Sequence, residues 1–178
     1  ENYVNLLSDV LFWKALKNTV VIGIIAHIPI LLGGLALAYI LNSKLVKGEN
    51  IFKTIYFMPM VTSSVAISII FQSLFGYNYG TINYFLSFFG EEPINWLGGD
   101  GSLIKVAVIV MFAWKWVGWN MVIYLAGMQG ISNDIYEAAR IDGATNTKIM
   151  FKIVIPLLTP IIVFALVQST IGMFNLFT

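Results

Sequence analysis

Cysteine is absent from the 178 residues and histidine occurs once, at His27. No disulfide and no thiolate metal site can therefore form, and one histidine with no acidic cluster beside it builds no metal centre. Charge is scarce: 11% of residues are Asp, Glu, Lys or Arg, against roughly 25% in a soluble globular domain. The net charge of +1 gives no footprint for nucleic acid. Gly98-Gly99-Asp100-Gly101 is a turn without the lysine of a phosphate-binding P-loop, so this chain does not hold ATP in that way. The acids Asp134, Glu137 and Asp142 cluster with no nucleophile or histidine beside them, and no catalytic set forms. What the chain has in excess is apolar surface: 58% hydrophobic residues and a mean hydropathy of +0.84. These values describe a polytopic membrane protein of the all-α class, a transmembrane helix bundle.

Four stretches are long and apolar enough to cross a bilayer, which takes ~20 residues of helix. They are residues 18–41, 54–75, 103–127 and 157–178. Residues 1–17 place Tyr3, Leu6, Leu7, Val10, Leu11 and Trp13 on one helical face, which reads as an interfacial helix or as a loop with an aromatic anchor. In the first span, Pro29 predicts a kink and Gly33-Gly34 a close helix approach, and His27 reads either as a path-lining residue or, the plainer reading, as a hydrogen-bonded packing residue. Ser63 and Ser64 in the second span are expected to bond helix backbone. Residues 81–89 predict a short interfacial helix. Lys44, Lys47 and Lys53 lie in residues 42–53, while residues 76–102 carry Glu91, Glu92 and Asp100 and no Lys or Arg. The positive-inside rule puts the first loop in the cytoplasm and the second outside, with Lys14 and Lys17 opposing. Glu1 then starts outside. A chain that lacks an initial Met and stops at Thr178 within an apolar run reads as one transmembrane domain, residues 1–178, from a longer subunit.

The polar island NDIYEAARIDGATNTKIMFKIVIPLLTP stands between the last two spans. Asp134 is a candidate helix cap with Glu137 three residues on as its capping-box partner, and Gly143 a candidate helix stop. Residues 132–156 thus read as a helix–turn–helix elbow. Glu137-Ala138-Ala139, then Gly143 after three residues, then nine residues and Ile153-x-Ile155-Pro156, resembles the EAA motif of ABC importer permeases. The family pattern ends Ile-x-Leu-Pro, and Ile155 replaces Leu at nearly conserved volume. Asp142, Ala144 and Phe151 resemble the carbohydrate-uptake branch. The resemblance implies a type I ABC importer permease of a bacterial or archaeal cytoplasmic membrane. It implies pairing with a second permease subunit, two ABC nucleotide-binding subunits and an extracytoplasmic solute-binding protein, with a sugar as substrate and no cofactor. In such a subunit Tyr136, Glu137, Ala138, Ala139, Asp142 and Gly143 would lie at or near the ATPase contact. The plainer reading is that they cap and stiffen a loop.

Lys115 needs a reason. It stands among Trp114, Trp116 and Trp119 near the middle of the third span. Either it faces a polar, aromatic-lined cavity, or the span starts later and Lys115 is shallower, at the depth tryptophan favours. In the resembled family a substrate path would be walled by the spans on either side of the elbow. Its candidates here are Trp114, Lys115, Val117, Gly118 and Met121 on one span and Gln168, Ser169 and Gly172 on the other. Gln168, Gly172 and Asn175 share a helical face, as substrate wall or as interhelical glue, and Gly118 and Gly172 fit packing contacts equally. A secondary transporter using Lys115, with no ATPase partner, is the alternative; a membrane-embedded enzyme is a third, weakened by the missing catalytic set.

Overall fold

The computed structural model describes residues 2–43, 46–99 and 101–174. Glu1, Lys44, Asp100, Asn175 and the end of the fourth expected span lie outside the described residues. Among those described, every regular element is a helix.

Helix α1 (Asn2–Ser8) ends at Asp9, whose carboxylate accepts a hydrogen bond from the Leu11 amide at 2.8 Å and so caps α2 (Val10–Asn42). The first membrane-length helix therefore begins at Val10, not near residue 18, and it runs on through Pro29. Tyr3, Leu6, Leu7, Val10, Leu11 and Trp13 are all exposed, as an interfacial face would be.

The stretch expected as a single span over residues 54–75 is two helices, α3 (Glu49–Val61) and α4 (Ser64–Phe75), meeting at 100°. The break has a local cause. Thr62 and Ser63 are both extended, with ψ of 137° and 146°. The Ser63 hydroxyl then accepts from the Ala66 amide at 3.2 Å and starts α4. A serine at that position supplies one of the donors that a helix start leaves unpaired with an acceptor.

The loop after α4 folds around α5 (Thr81–Ser87) and one buried side chain. The Asn83 amide donates to the carbonyls of Gly76, Tyr77 and Ile94, and its oxygen accepts from the Ile94 amide and the Trp96 indole. Asn83→Ala removes all five bonds and leaves several backbone groups unpaired. The expected loss is about 1–3 kcal/mol, read as a lowered unfolding temperature of the purified subunit with accelerated amide exchange confined to residues 76–96.

Helix α6 (Ser102–Gln129) is the centre of the bundle and packs most extensively on α2. Gly34 permits that approach: a β-carbon there would lie 2.8 Å from the Asn120 β-carbon and 3.2 Å from the Met121 amide. After α6 come α7 (Asn133–Ile141) and the single turn α8 (Asn146–Ile149). A π-helical turn, Met150–Val154, then leads into α9 (Ile155–Phe174). Asn146–Phe174 is thus one helical course of membrane length, and the last span has no break at residue 157. The π turn has a physical reason in Pro156, which offers no amide hydrogen and whose ring collides with the carbonyl four residues back in a regular helix. The Ile155 amide bonds the Met150 carbonyl instead. A buried cluster joins the lower halves of α2, α6 and α9 to the elbow through Leu41, Tyr124, Met128, Ala139, Ile149 and Leu158.

Candidate functional site

The elbow is built by its end rather than its start. Ser132, not Asp134, is the N-cap of α7: its backbone is extended and its hydroxyl accepts from the Asp134 amide at 3.3 Å. Asp134 falls in the first turn, where its charge suits the helix dipole. The expected Asp134–Glu137 capping box does not form, because Asn133 and Asp134 are already helical. At the other end the Gly143 amide donates to the Arg140 carbonyl at 3.0 Å and the Ala144 amide to the Ala139 carbonyl at 2.9 Å. Gly143 has φ of 75°. This is a Schellman stop, whose left-handed residue is usually glycine. The accompanying apolar contact is present, with Ala144 packed on the cluster that contains Ala139. The spacing from Ala139 to Gly143 and Ala144 is therefore a backbone requirement. Thr145 then caps α8 by accepting from the Lys148 amide at 3.3 Å, and the Tyr39 hydroxyl donates to the Asn146 carbonyl at 3.2 Å, tying α2 to the elbow.

The helix period sorts the elbow residues. Ala139 is buried and Tyr136 half-buried, both against the core. Burial raises the pKa of the Tyr136 phenol above its ordinary 10.0, so it remains neutral. Glu137, Ala138, Asp142 and Gly143 face outward. Ile141, which the sequence did not single out, is 86% exposed beside Asp142. Its signal was available as an apolar residue on the polar face of α7. The exposed residues of α7 and its C-cap thus carry Asp134, Glu137 and Asp142 with Arg140 among them, and two apolar projections, Ile135 and the more exposed Ile141.

The second feature is a cavity of about 650 Å³ bounded by α4, α6 and α9 and by Met60 of α3. From α6 it takes Val108, Met111, Phe112, Lys115 and Trp119, a three- and four-residue series along one face, together with Trp116. Lys115 stands at the middle of α6, about 20 Å from either end at 1.5 Å per residue. From α9 come Gln168, Ile171 and Gly172, and from α4 Ser64 and Ser68.

The remaining sequence candidates stand elsewhere. Trp114 and Val117 occupy another face of α6 and line a separate apolar groove beside Pro29. Met121 is fully buried. Gly118 frees no room for a ligand, because a β-carbon there would overlap the Tyr56 carbonyl of α3. Gly172 does border the cavity, but a β-carbon on it would meet the Trp116 ring, so it also serves as a packing contact. Ser169 is fully buried and its hydroxyl bonds His27 across the α2–α9 contact at 2.9 Å. The His27 Nδ1 lies 2.6 Å from the Gly23 carbonyl oxygen, so that nitrogen donates, and in the neutral ring Nε2 accepts from Ser169. Ser169 and His27 are interhelical glue. Of the expected path residues, Lys115, Gln168 and Gly172 come together at the cavity, joined by Trp116 and Trp119.

Membrane-length helices border a largely apolar cavity whose wall carries one lysine, one glutamine and two serines, and an exposed elbow is rooted in the same core. Residues 30–178 match the binding-protein-dependent transport system inner membrane component family, and the chain belongs to that family. It is 41% identical to the lactose transport system permease protein LacF of Rhizobium radiobacter, over 99% of this chain and 59% of that protein. It is 38% identical to the arabinooligosaccharides transport system permease protein AraP of Bacillus subtilis, over 96% of this chain and 55% of that one. Among solved structures it resembles a bacterial ABC transporter involved in import of the acidic polysaccharide alginate. The TM-score is 0.83 at 25% identity, covering 94% of this chain and 58% of the other. The same kind of transporter in complex with an alginate pentasaccharide-bound periplasmic protein gives a TM-score of 0.80 at 26% identity, over 95% and 59%. The chain thus spans little more than half the length of the curated relatives it matches.

Proposed function

We propose that this chain is the path-forming and coupling portion of a permease subunit in an ATP-driven sugar importer of a bacterial or archaeal cytoplasmic membrane. The observation that carries the proposal is the elbow, an outward face fixed by a capped helix start and a left-handed glycine stop and rooted in the bundle core. The family membership supports it, as do relatives described as permeases for lactose and arabinooligosaccharides. Such a subunit works beside a second permease, two nucleotide-binding subunits and an extracytoplasmic solute-binding protein, consistent with a neighbour determined with its periplasmic protein. Closure of the nucleotide-binding pair would move the elbow, and with it α6 and α9, as rigid bodies that open the cavity alternately to each side. A secondary transporter would have no use for the elbow's docking face.

Gln168 and Ser169 separate path from packing. In the full-length subunit assembled with its partners in vesicles, Gln168→Ala is expected to lower ATP-dependent saccharide uptake several-fold with assembly intact. Ser169→Ala is expected to lower thermal stability, with an apparent affinity close to that of the parent. An unchanged uptake rate and substrate range in Gln168→Ala would remove α9 from the path.

A further inference from the structure

Among the described residues, the lining of the cavity holds one charge and no counter-charge. Lys115 lines it at the middle of a membrane-length helix, and no carboxylate is among the lining residues. Among the described residues no ion pair or hydrogen bond reaches the Lys115 ammonium; the lone ion pair is Lys53 with Glu49, at 2.8 Å on the outside of α3. An ammonium held at that depth without a partner is costly, and charges that persist there face a cavity, a counter-charge or a substrate.

The rest of the lining says what kind of counter-charge. Trp116 and Trp119 flank Lys115 with flat apolar rings, and Gln168, Ser64 and Ser68 offer neutral hydrogen-bonding groups. Ring faces beside neutral polar groups suit a saccharide. A neutral saccharide would give the ammonium only hydroxyl oxygens. A carboxylate would give it a charge-assisted bond, roughly twice as strong as a neutral one. An inorganic anion would use the lysine and leave the tryptophan faces idle.

We infer that the cavity takes a saccharide bearing a carboxylate, a uronate-type unit, with Lys115 as its counter-charge and specificity-determining contact. This deepens the importer reading and rests on it. The stereochemistry at the ring is left to the neutral groups.

The test uses the full importer reconstituted with its cognate solute-binding protein, and matched substrates: uronate oligosaccharides and the same oligosaccharides with each carboxylate reduced to a primary alcohol. Lys115→Gln and Lys115→Arg share the parent's binding protein, so that protein's own selectivity cancels between variants. ATP-dependent uptake of the uronate form by the parent is expected, falling roughly tenfold or more in Lys115→Gln and recovering in Lys115→Arg. Uptake of the reduced form is expected to be lower in the parent and little changed by either variant. A second measurement needs no variant. A water-soluble carbodiimide activates the uronate carboxylate, and the Lys115 amine captures it as an amide with transfer of the lost water to the carbodiimide as a urea. Mass spectrometry is expected to find that adduct on Lys115.

A larger loss of the reduced form than of the uronate form in Lys115→Gln overturns the inference and leaves the importer reading standing. So does an equal loss of both substrates in Lys115→Gln, or adducts on outward lysines alone. If Lys115→Gln fails to assemble, Lys115→Arg assembles and no uronate preference is present, Lys115 pairs with a neighbouring subunit and the inference also falls. Absence of ATP-dependent uptake of every saccharide rejects the importer reading itself.

Discussion

Gly143→Asp should leave the subunit inserted in the membrane and cut ATP-driven uptake by roughly tenfold or more, with the ATPase subunit lost or running uncoupled. The backbone at residue 143 has φ of 75°, where a side chain costs about 1–2 kcal/mol. No atom lies within 4 Å of the place a β-carbon would take, so the cost is conformational and not a collision. Relief of that strain opens the Schellman stop, which frees the amides of Gly143 and Ala144 and lets the last turn of α7 rotate. The new carboxylate also falls beside Asp142 on the outward face. Membrane insertion is set by the long apolar helices, which the change does not touch. Gly143→Asn, with similar size, better tolerance of the left-handed region and no charge, should be milder. Uptake, ATP hydrolysis and co-purification of the ATPase subunit, measured together on the full-length subunit, check both.

Gly118→Val should act through stability instead. Its β-carbon would overlap the Tyr56 carbonyl, a backbone atom that cannot swing aside as a side-chain tip could. Helices α3 and α6 must then separate, and overpacking of this kind costs about 1–3 kcal/mol or more. The α3–α6 contact is among the most extensive in the bundle. The expected result is low accumulation and early thermal unfolding, with the surviving fraction showing close to the parent's apparent affinity for substrate. Normal accumulation with altered affinity would return Gly118 to the substrate path.

The elbow was legible in the sequence because its spacing encodes a backbone geometry. Ala139, Gly143 and Ala144 must stand where a helix stop needs them, so the motif reads through without tertiary information. Its first residue was not, because Ser132 and Asp134 are both good caps and the choice depends on where the chain leaves α6. The 100° break between α3 and α4 was hidden in an apolar run, where Thr62 and Ser63 look like ordinary membrane residues until one of them caps a helix. Lys115 and Gln168 met at the cavity because charge and amide in an apolar span leave few other options. Ser169 looked the same in sequence, yet its partner His27 is 142 positions away. Glycine gives no hint of whether the room it leaves is filled, and at Gly118 the filling comes from the α3 backbone. Trp114 and Val117 fell on another face because adjacent residues of a helix point about 100° apart.

The central claim, that the outward face of the elbow meets the ATPase subunit, has a direct measurement. The sequence has no cysteine, so Ala138→Cys introduces a single thiol into this stretch. It is exposed on α7, while Ala139→Cys one position on would be buried against the core. A short bifunctional thiol reagent, applied to the assembled full-length importer whose ATPase carries single cysteines along its surface cleft, should link Ala138→Cys to that subunit in good yield. Tyr79→Cys, on the exposed loop before α5, should give no such link. Cross-linking of Ala138→Cys to the ATPase at no cleft position, with Tyr79→Cys linking to it instead, would contradict the account.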